Sequence, residues 1–321
     1  MESYASTIRK YVIVIGSLAL LIAGVLVMIV LGSIPTSDFP VGHTINIDKG
    51  SSLSSTADKL STKGIIRSPF IFKVYSLILG GNIKAGGYRF NSPQSALRIA
   101  SRLTSAEFGL HHVKITIPEG SDVQDIAWII LRAIPNFNAP RFFGLATEKE
   151  GYLFPDTYFF YENASAEDVI STMESVFNLR MEPLMTSVDE SGRTLSEVIT
   201  MASIVEREAV TVEDRRIVAG ILWKRLDAGM ALQVDAPFWH LFRKGTRQIS
   251  ADDLRINSPY NTYRFRGLPP GPIANPGLAA IKDTLDPIVT RYWYYLSDKE
   301  GGMHYATTLE EHSANKSRYL R

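Results

Sequence analysis

The sequence predicts an α+β protein behind a single N-terminal transmembrane helix. Three observations carry this: an uncharged apolar stretch at residues 11–32, a strand–helix–helix–strand pattern that recurs at an offset of 70 residues, and a C-terminal region joining capped helical stripes to a prolyl loop. The 321 residues suit about two domains, and 45% hydrophobic content is enough to pack cores for both. The net charge of +1, with no run of five like charges, argues against nucleic acid as a partner. The absence of cysteine excludes disulfides, thiolate metal sites and cysteine nucleophiles. The six histidines show no metal-ligand spacing and there is no glycine-rich phosphate loop, so neither a metal nor a cofactor is expected.

Residues 11–32, YVIVIGSLALLIAGVLVMIVLG, carry no charge. About 20 such residues cross a bilayer. The stretch exceeds the apolar core of a cleaved signal peptide, and Gly32-Ser33 followed by Ile34-Pro35 is a poor cleavage site. No helical phase gives it a polar face, which argues against a soluble core helix. Arg9 and Lys10 precede it and Asp38 is the first charge beyond it. The positive-inside rule then makes residues 1–10 a cytoplasmic tail and places everything after the anchor outside. The expected location is the cytoplasmic (inner) membrane, single-pass, with residues 33–43 as a linker.

The repeat organises the next part of the chain. Ile45-Asn-Ile-Asp-Lys-Gly50-Ser51 matches Ile115-Thr-Ile-Pro-Glu-Gly120-Ser121, and the same offset pairs Leu53 with Val123, Ala57 with Ala127, Leu60 with Ile130, Tyr88 with Tyr158 and Phe90 with Phe160. Each copy opens on alternating apolar residues, a strand signal, followed by Gly-Ser, a turn and helix N-cap signal. Each therefore reads β-α-α-β with a linking helix, at residues 93–104 and about 165–178. The first copy, within residues 44–113, resembles a LysM domain, which has that element order and binds N-acetylglucosamine polymers. The resemblance lies in pattern, and a ligand-free spacer fits the same residues.

The second copy (114–178) opens the region 114–321 and ends in EGYLFPDTYFFY, residues 150–161. Half of this stretch is aromatic, and aromatic faces suit flat sugar surfaces. Phe160 reads as strand core. Glu150, Tyr152 and Asp156 are harder to explain as core, and Pro155-Asp156-Thr157 is turn chemistry that would present Asp156 at a strand edge.

Residues 190–321 carry the candidate chemistry. Thr194 and Glu197 form a capping box, so a helix starts near Leu195. At about 100° per residue, Leu195, Val198, Ile199, Ala202, Val205, Ala209 and Val210 share one broad face. Glu206 projects into that face, flanked by Ile199 and Val210, while Glu208 falls on the polar side as a solvated or salt-bridged surface residue. A carboxyl held against apolar neighbours either pairs with a cation or stays protonated with a raised pKa, as a general acid requires. The structural alternative is a buried ion pair with Arg215 or Arg216. Further on, Leu232-Gln233-Val234-Asp235, Ser258-Pro-Tyr260-Asn261-Thr-Tyr263 and the loop Gly267-Leu-Pro-Pro-Gly-Pro-Ile-Ala-Asn-Pro-Gly277 follow. Rigid loops holding Tyr and Asn suit ligands rich in hydroxyls. Asn275, with Pro276 behind it, reads as the N-cap of a helix from Leu278. Ser313-Ala-Asn-Lys316 spells SxxK without the other serine-enzyme motifs, so it is assigned to a terminal helix.

Together MASIVERE, LQVD, SPYNTYRFRGLPPGPIANPG and EGYLFPDTY resemble the endolytic murein transglycosylase family, the MltG or YceG-like group, in the order that family uses. The resemblance runs from the anchor to the C-terminus. It implies a membrane anchor, a LysM-like segment and an extracytoplasmic catalytic domain whose catalytic glutamate falls on Glu206. It brings Gln233, Asp235, Tyr260, Asn261 and Tyr263 to the substrate. The chain departs from the family after Asp235: Ala236-Pro237 stand where Pro-Thr is usual, and Val234 replaces a hydroxyl residue. That departure bears on Asp235 and not on Glu206.

The implied substrate is the peptidoglycan glycan strand, with peptidoglycan synthases of elongation or division as partners. One carboxyl would protonate the leaving oxygen between N-acetylmuramic acid and N-acetylglucosamine, then take the proton of the sugar's 6-hydroxyl as a 1,6-anhydro ring closes. Gln233, Tyr260 and Asn261 are candidates to orient the sugar and Tyr152 to stack on it. Glu150, Asp156, Tyr263 and Asn275 complete the candidate site. Two rivals are a muramidase-type hydrolase pairing Glu206 with Asp235 or Asp156, and a non-catalytic wall-binding scaffold beside a synthase.

Overall fold

The computed structural model describes residues 2–245 and 248–320, with side chains from Ile15 onward. The chain divides into two compact units, Met1–His111 and His112–Arg321, and both mix helix with strand.

The first unit opens with α1 (Glu2–Ser33). Its segment Ile15–Ser33 is long and apolar enough to cross a membrane, and none of its most apolar window is buried within the protein. The side chains of Arg9 and Lys10, on which the expected orientation rests, lie outside the described residues. Then come β1 (Thr44–Ile47), α2 (Leu53–Thr62), α3 (Pro69–Ile78), β2 (Gly86–Arg89) and α4 (Ala96–Thr104). Ser52, Ser68 and Ser95 cap the three helices, each hydroxyl accepting the backbone N–H three residues on. β1 and β2 pair antiparallel with Ile45 opposite Tyr88, and the helices cover them with Leu60, Phe72 and Ile99.

The second unit begins with the same sequence of elements: β3 (His112–Thr116), α5 (Val123–Ala133), α6 (Ala139–Ala146), β4 (Thr157–Tyr161) and α7 (Ala166–Met181). Ile115 stands opposite Tyr158, the register of the first unit shifted by 70 residues. The likeness extends to side chains. The Tyr88 hydroxyl donates to the Lys84 carbonyl at 2.8 Å and the Tyr158 hydroxyl to the Phe154 carbonyl at 2.5 Å. A buried tyrosine needs such an acceptor for its polar tip. Phe160 lies in the core, as its alternation predicts.

After α8 (Met185–Glu190) come α9 (Leu195–Glu208), α10 (Val212–Asp227), α11 (Ala236–Phe242), α12 (Leu278–Leu285), an antiparallel hairpin of β5 (Tyr294–Ser297) with β6 (Met303–Ala306), and α13 (Leu309–Tyr319). The SxxK stretch lies in α13, as a terminal helix. The Thr194 capping box is formed as predicted. The single apolar face assigned to α9 is corrected: every residue from Val198 to Val205 is buried. Met201, Ile204 and Val205 pack in one core with Val218 and Leu222 of α10, while Val198, Ile199 and Ala202 pack in another with Phe154, Phe177 and Ile281. Ser203 tolerates this because its hydroxyl donates to the Thr200 carbonyl at 2.7 Å and accepts from the Ile273 N–H at 3.1 Å. The helix ends at Glu208, the backbone turns extended at Ala209, and Val210 is 87% exposed instead of flanking Glu206.

Candidate active site

Two glycine turns hold Glu206. Gly120, at φ +73°, brings its Cα against the Glu206 side chain, where an added Cβ would stand 3.4 Å from Cγ. Only a residue that accepts the left-handed region without strain fits there. From the other side Gly277, the N-cap of α12, donates its backbone N–H to Glu206 Oε2 at 2.9 Å. The Glu119 carboxylate packs against the Gly277 Cα so closely that a Cβ would collide with it. Burial pushes the Glu206 carboxyl above its usual range; the Gly277 N–H pulls it back and the Glu119 charge raises it again. The expected alternative of an ion pair with Arg215 or Arg216 is not what the structure forms. Arg215 pairs with Asp283 at 2.6 Å and Arg216 with Asp286 at 2.9 Å.

Asn275 ties these turns together. It does not cap α12, as the sequence suggested; Gly277 does, without a side-chain bond. Asn275 is fully buried. Its Oδ1 accepts from the Leu153 N–H at 2.9 Å, and its Nδ2 donates to Ser121 O at 3.0 Å and to Glu150 Oε1 at 2.7 Å. Its backbone exchanges two further bonds with Gly120 and Ser121. Glu150 also accepts from the Val123 N–H at 3.0 Å, and burial pushes it up to about 8. This pair therefore fixes the separation of the two glycines around Glu206.

Glu208 is the main correction at the site. It is not a solvated residue of the polar side. Its carboxyl accepts from the Ala236 N–H at 3.2 Å and the Tyr295 hydroxyl at 3.1 Å. Burial first, then the neighbouring Asp235 charge, push it up to about 7. Asp235 accepts from the Tyr263 hydroxyl at 2.6 Å. Periodicity misassigned Glu208 because α11 and the β5–β6 hairpin cover that side of α9, and neither is visible from the helix's own sequence.

The other candidates divide. Gln233 is exposed at φ +53°, with its N–H held by Thr262 O. Tyr260 is half-buried against His240 at 5.0 Å between ring centroids. Asn261 is fully buried, donates to Leu254 O and Ile256 O and accepts from the Tyr263 N–H, so it builds the loop instead of facing a ligand. Tyr152 stands edge-on to Phe177 and packs on the core there, not in the groove. Asp156 is bound to Arg180 at 3.1 Å and to its neighbour's N–H.

Two adjoining cavities run past Glu206, and a third borders the first of them. One of about 360 Å³ is lined by Glu119, Gly120, Ser121, Asp125, Glu206 and Arg207. A second, of about 350 Å³, shares Glu206 and Arg207 and continues to Asp235, Trp239 and Ser297. A third, of about 520 Å³, shares Ser121 and Asp125. Sequence reasoning missed Glu119, Arg207 and Trp239. The aligned Gly-Ser pairs marked the turn that holds Glu119, but only as a helix signal.

A carboxyl of raised pKa held between two glycines in an open groove, with a second, Glu208, along the same groove, is the arrangement of an acid–base site open to an extended substrate. The YceG-like family model matches residues 45–318, and the chain belongs to that family. A protein of Bacillus subtilis named endolytic murein transglycosylase is 32% identical over 304 residues, 86% of this chain and 84% of its own. A Streptococcus pneumoniae protein of the same name is 27% identical over 86% of this chain, which spans 58% of that relative's length. The crystal structure of a YceG-like protein of Listeria monocytogenes superposes with a TM-score of 0.58 at 28% identity, over 85% of this chain and 98% of the other.

Proposed function

We propose that this chain is a membrane-anchored endolytic transglycosylase that cleaves peptidoglycan glycan strands between N-acetylmuramic acid and N-acetylglucosamine. The observation that carries this reading is Glu206, a carboxyl with raised pKa in the interior of a groove continuing on both sides of it. A groove open past the acid suits cleavage within a strand. Protonated Glu206 gives its proton to the glycosidic oxygen as the C1–O bond breaks. The carboxylate left behind is stabilised by the Gly277 N–H at the start of α12. It then takes the proton of the muramic acid 6-hydroxyl as that oxygen bonds to C1, so the ring closes without water. Gln233 and Tyr260 border the loops that would receive the sugar. Asp235 and Tyr263 act through the Glu208 network, and Glu150 and Asn275 through the glycine turns.

The finer organisation is part of the proposal. Residues 11–32 anchor the chain with residues 1–10 in the cytoplasm and the groove outside, 44–113 form a LysM-like glycan-holding unit, and 114–321 form the catalytic domain. Peptidoglycan synthases are the partners. One observation favours keeping a hydrolase as the second reading: Glu119 bears electrostatically on Glu206 and lines the same cavity, so it could activate a water. Asp156, tied to Arg180, is not placed for that role.

The test is Glu206→Gln. Glutamine keeps an oxygen for the Gly277 N–H but carries no transferable proton. Cleavage of purified strands should fall by at least about a thousand-fold, with melting temperature within a few degrees of wild type. Retained cleavage in a folded variant contradicts the assignment.

A further inference from the structure

We infer that Trp128 and Arg132 of α5 form an additional glycan subsite, where the strand's sugar faces stack on the indole beyond the cleavage point. This rests on the function proposed above. α5 buries Val123, Ile126, Ala127 and Ile130, which accounts for its packing. Asp125, Trp128 and Arg132 lie away from that core, spaced three to four residues apart, so they form one stripe. Trp128 on that stripe is 55% exposed, so the core does not account for its indole.

The other tryptophans show what a structural indole looks like in this protein. Trp223 lies beneath Arg193 and Trp293 beneath Lys224, while Trp239, in the groove wall, is covered by Arg207 and Arg243. Among the described residues Trp128 has neither a ring contact nor a hydrogen bond, and Arg132 has no ion pair. Both line the cavity of about 520 Å³ whose wall also includes Pro118, Ser121, Asp125 and Ile129. Ser121 and Asp125 belong as well to the cavity that holds Glu206. The cavity of the acid and that of the free indole therefore adjoin, with Ser121 and Asp125 in the wall of both. From Asp125 to Arg132 the helix advances about 10 Å, room for more than one pyranose ring.

The chemistry selects the occupant. An indole with a free face takes the apolar face of a pyranose. A guanidinium one turn away takes a carboxylate, which in this strand is the lactyl or peptide-stem carboxyl of muramic acid. The stripe thus fits a muramic acid residue with its neighbour on the same strand.

The experiment measures binding to full-length protein in detergent carrying Glu206→Gln, so that strands are not consumed. Probes are purified glycan strands with and without peptide stems, and a β-1,4 N-acetylglucosamine oligomer. Trp128→Ala should weaken strand binding about five- to ten-fold, and Trp128→Phe should restore most of it. Arg132→Gln should weaken binding of carboxyl-bearing strands while leaving the neutral oligomer unchanged. In the active enzyme Trp128→Ala should raise KM on long strands with little change in kcat. Since Trp128 is exposed, melting temperature should not move. Trp128→Ala binding within two-fold of its parent, or no strand binding by the Glu206→Gln protein, overturns the subsite. Product analysis separates this from the reaction itself: 1,6-anhydro products with Trp128-independent binding refute only the subsite, whereas Trp128-dependent binding with no 1,6-anhydro product refutes only the reaction.

Discussion

Glu206 and Glu208 are two residues apart on one helix and meet opposite surroundings from those that periodicity assigns to the second of them. Glu206 faces the cavity beside Gly120, while Glu208, at the edge of the adjoining cavity, is held by Ala236 and Tyr295. Burial raises the pKa of both, with different consequences. For Glu206 the protonated form does the work, so cleavage should decline as pH rises through its raised pKa. Glu119→Gln removes the charge that adds to this shift and should move the decline to lower pH, readable in a pH–rate profile. For Glu208 the consequence is stability. Burial holds its carboxyl at about 7 in the folded protein, above the ordinary glutamate value of 4.5. Between those values the native state holds a proton that the unfolded chain has released, so stability falls as pH rises from about 4.5 to about 7 and then levels. Glu208→Gln cannot titrate, and its melting temperature should exceed that of wild type at pH 8 and match it near pH 4. Equal differences at both pH values would contradict the assignment. Glu150, at about 8, adds its own loss over a wider window in both proteins.

At the scale of elements, α9 was legible in its start and length, because the Thr194 capping box is local chemistry. Its environment was not. Phase arithmetic assumes a helix with one wet side, and α9 lies between two cores. The prolyl loop was legible as rigid, but its purpose was not. Asn275 turned out to bond residues more than a hundred positions away instead of capping its own helix. Long-range partners of a buried amide leave no trace in local spacing. Asn275→Ala should therefore cost roughly 3 kcal/mol or more by leaving several buried groups unpaired, and should also reduce turnover because Gly120 and Gly277 lose their spacing. Denaturant titration and kinetics on one preparation measure both. Gly277→Ala is a milder probe of the same element. Its φ of −73° accepts alanine, but the Cβ would displace the Glu119 side chain. Stability should change by less than about 1 kcal/mol while turnover falls.

For the whole molecule, the 70-residue offset proved the most informative signal in the sequence. It holds in strand register and in the tyrosine hydroxyl bonds, because both copies solve the same problem of covering a two-stranded sheet with helices. The copies differ in use: residues of the second line the groove, through Glu119, Gly120, Ser121 and Asp125. Deleting residues 44–104 should weaken action on long strands more than on short fragments, and equal loss on both would make the first copy part of the catalytic fold. The central claim is that one carboxyl performs both proton transfers and water takes no part. Mass analysis of the fragments that the wild-type protein releases from purified strands tests this directly. The predicted product ends in a 1,6-anhydro sugar, about 18 Da lighter than the hydrolysis product because no water is added. Fragments with ordinary reducing ends would contradict the account, leaving Glu206 as an acid and making Glu119 the residue to examine as its base.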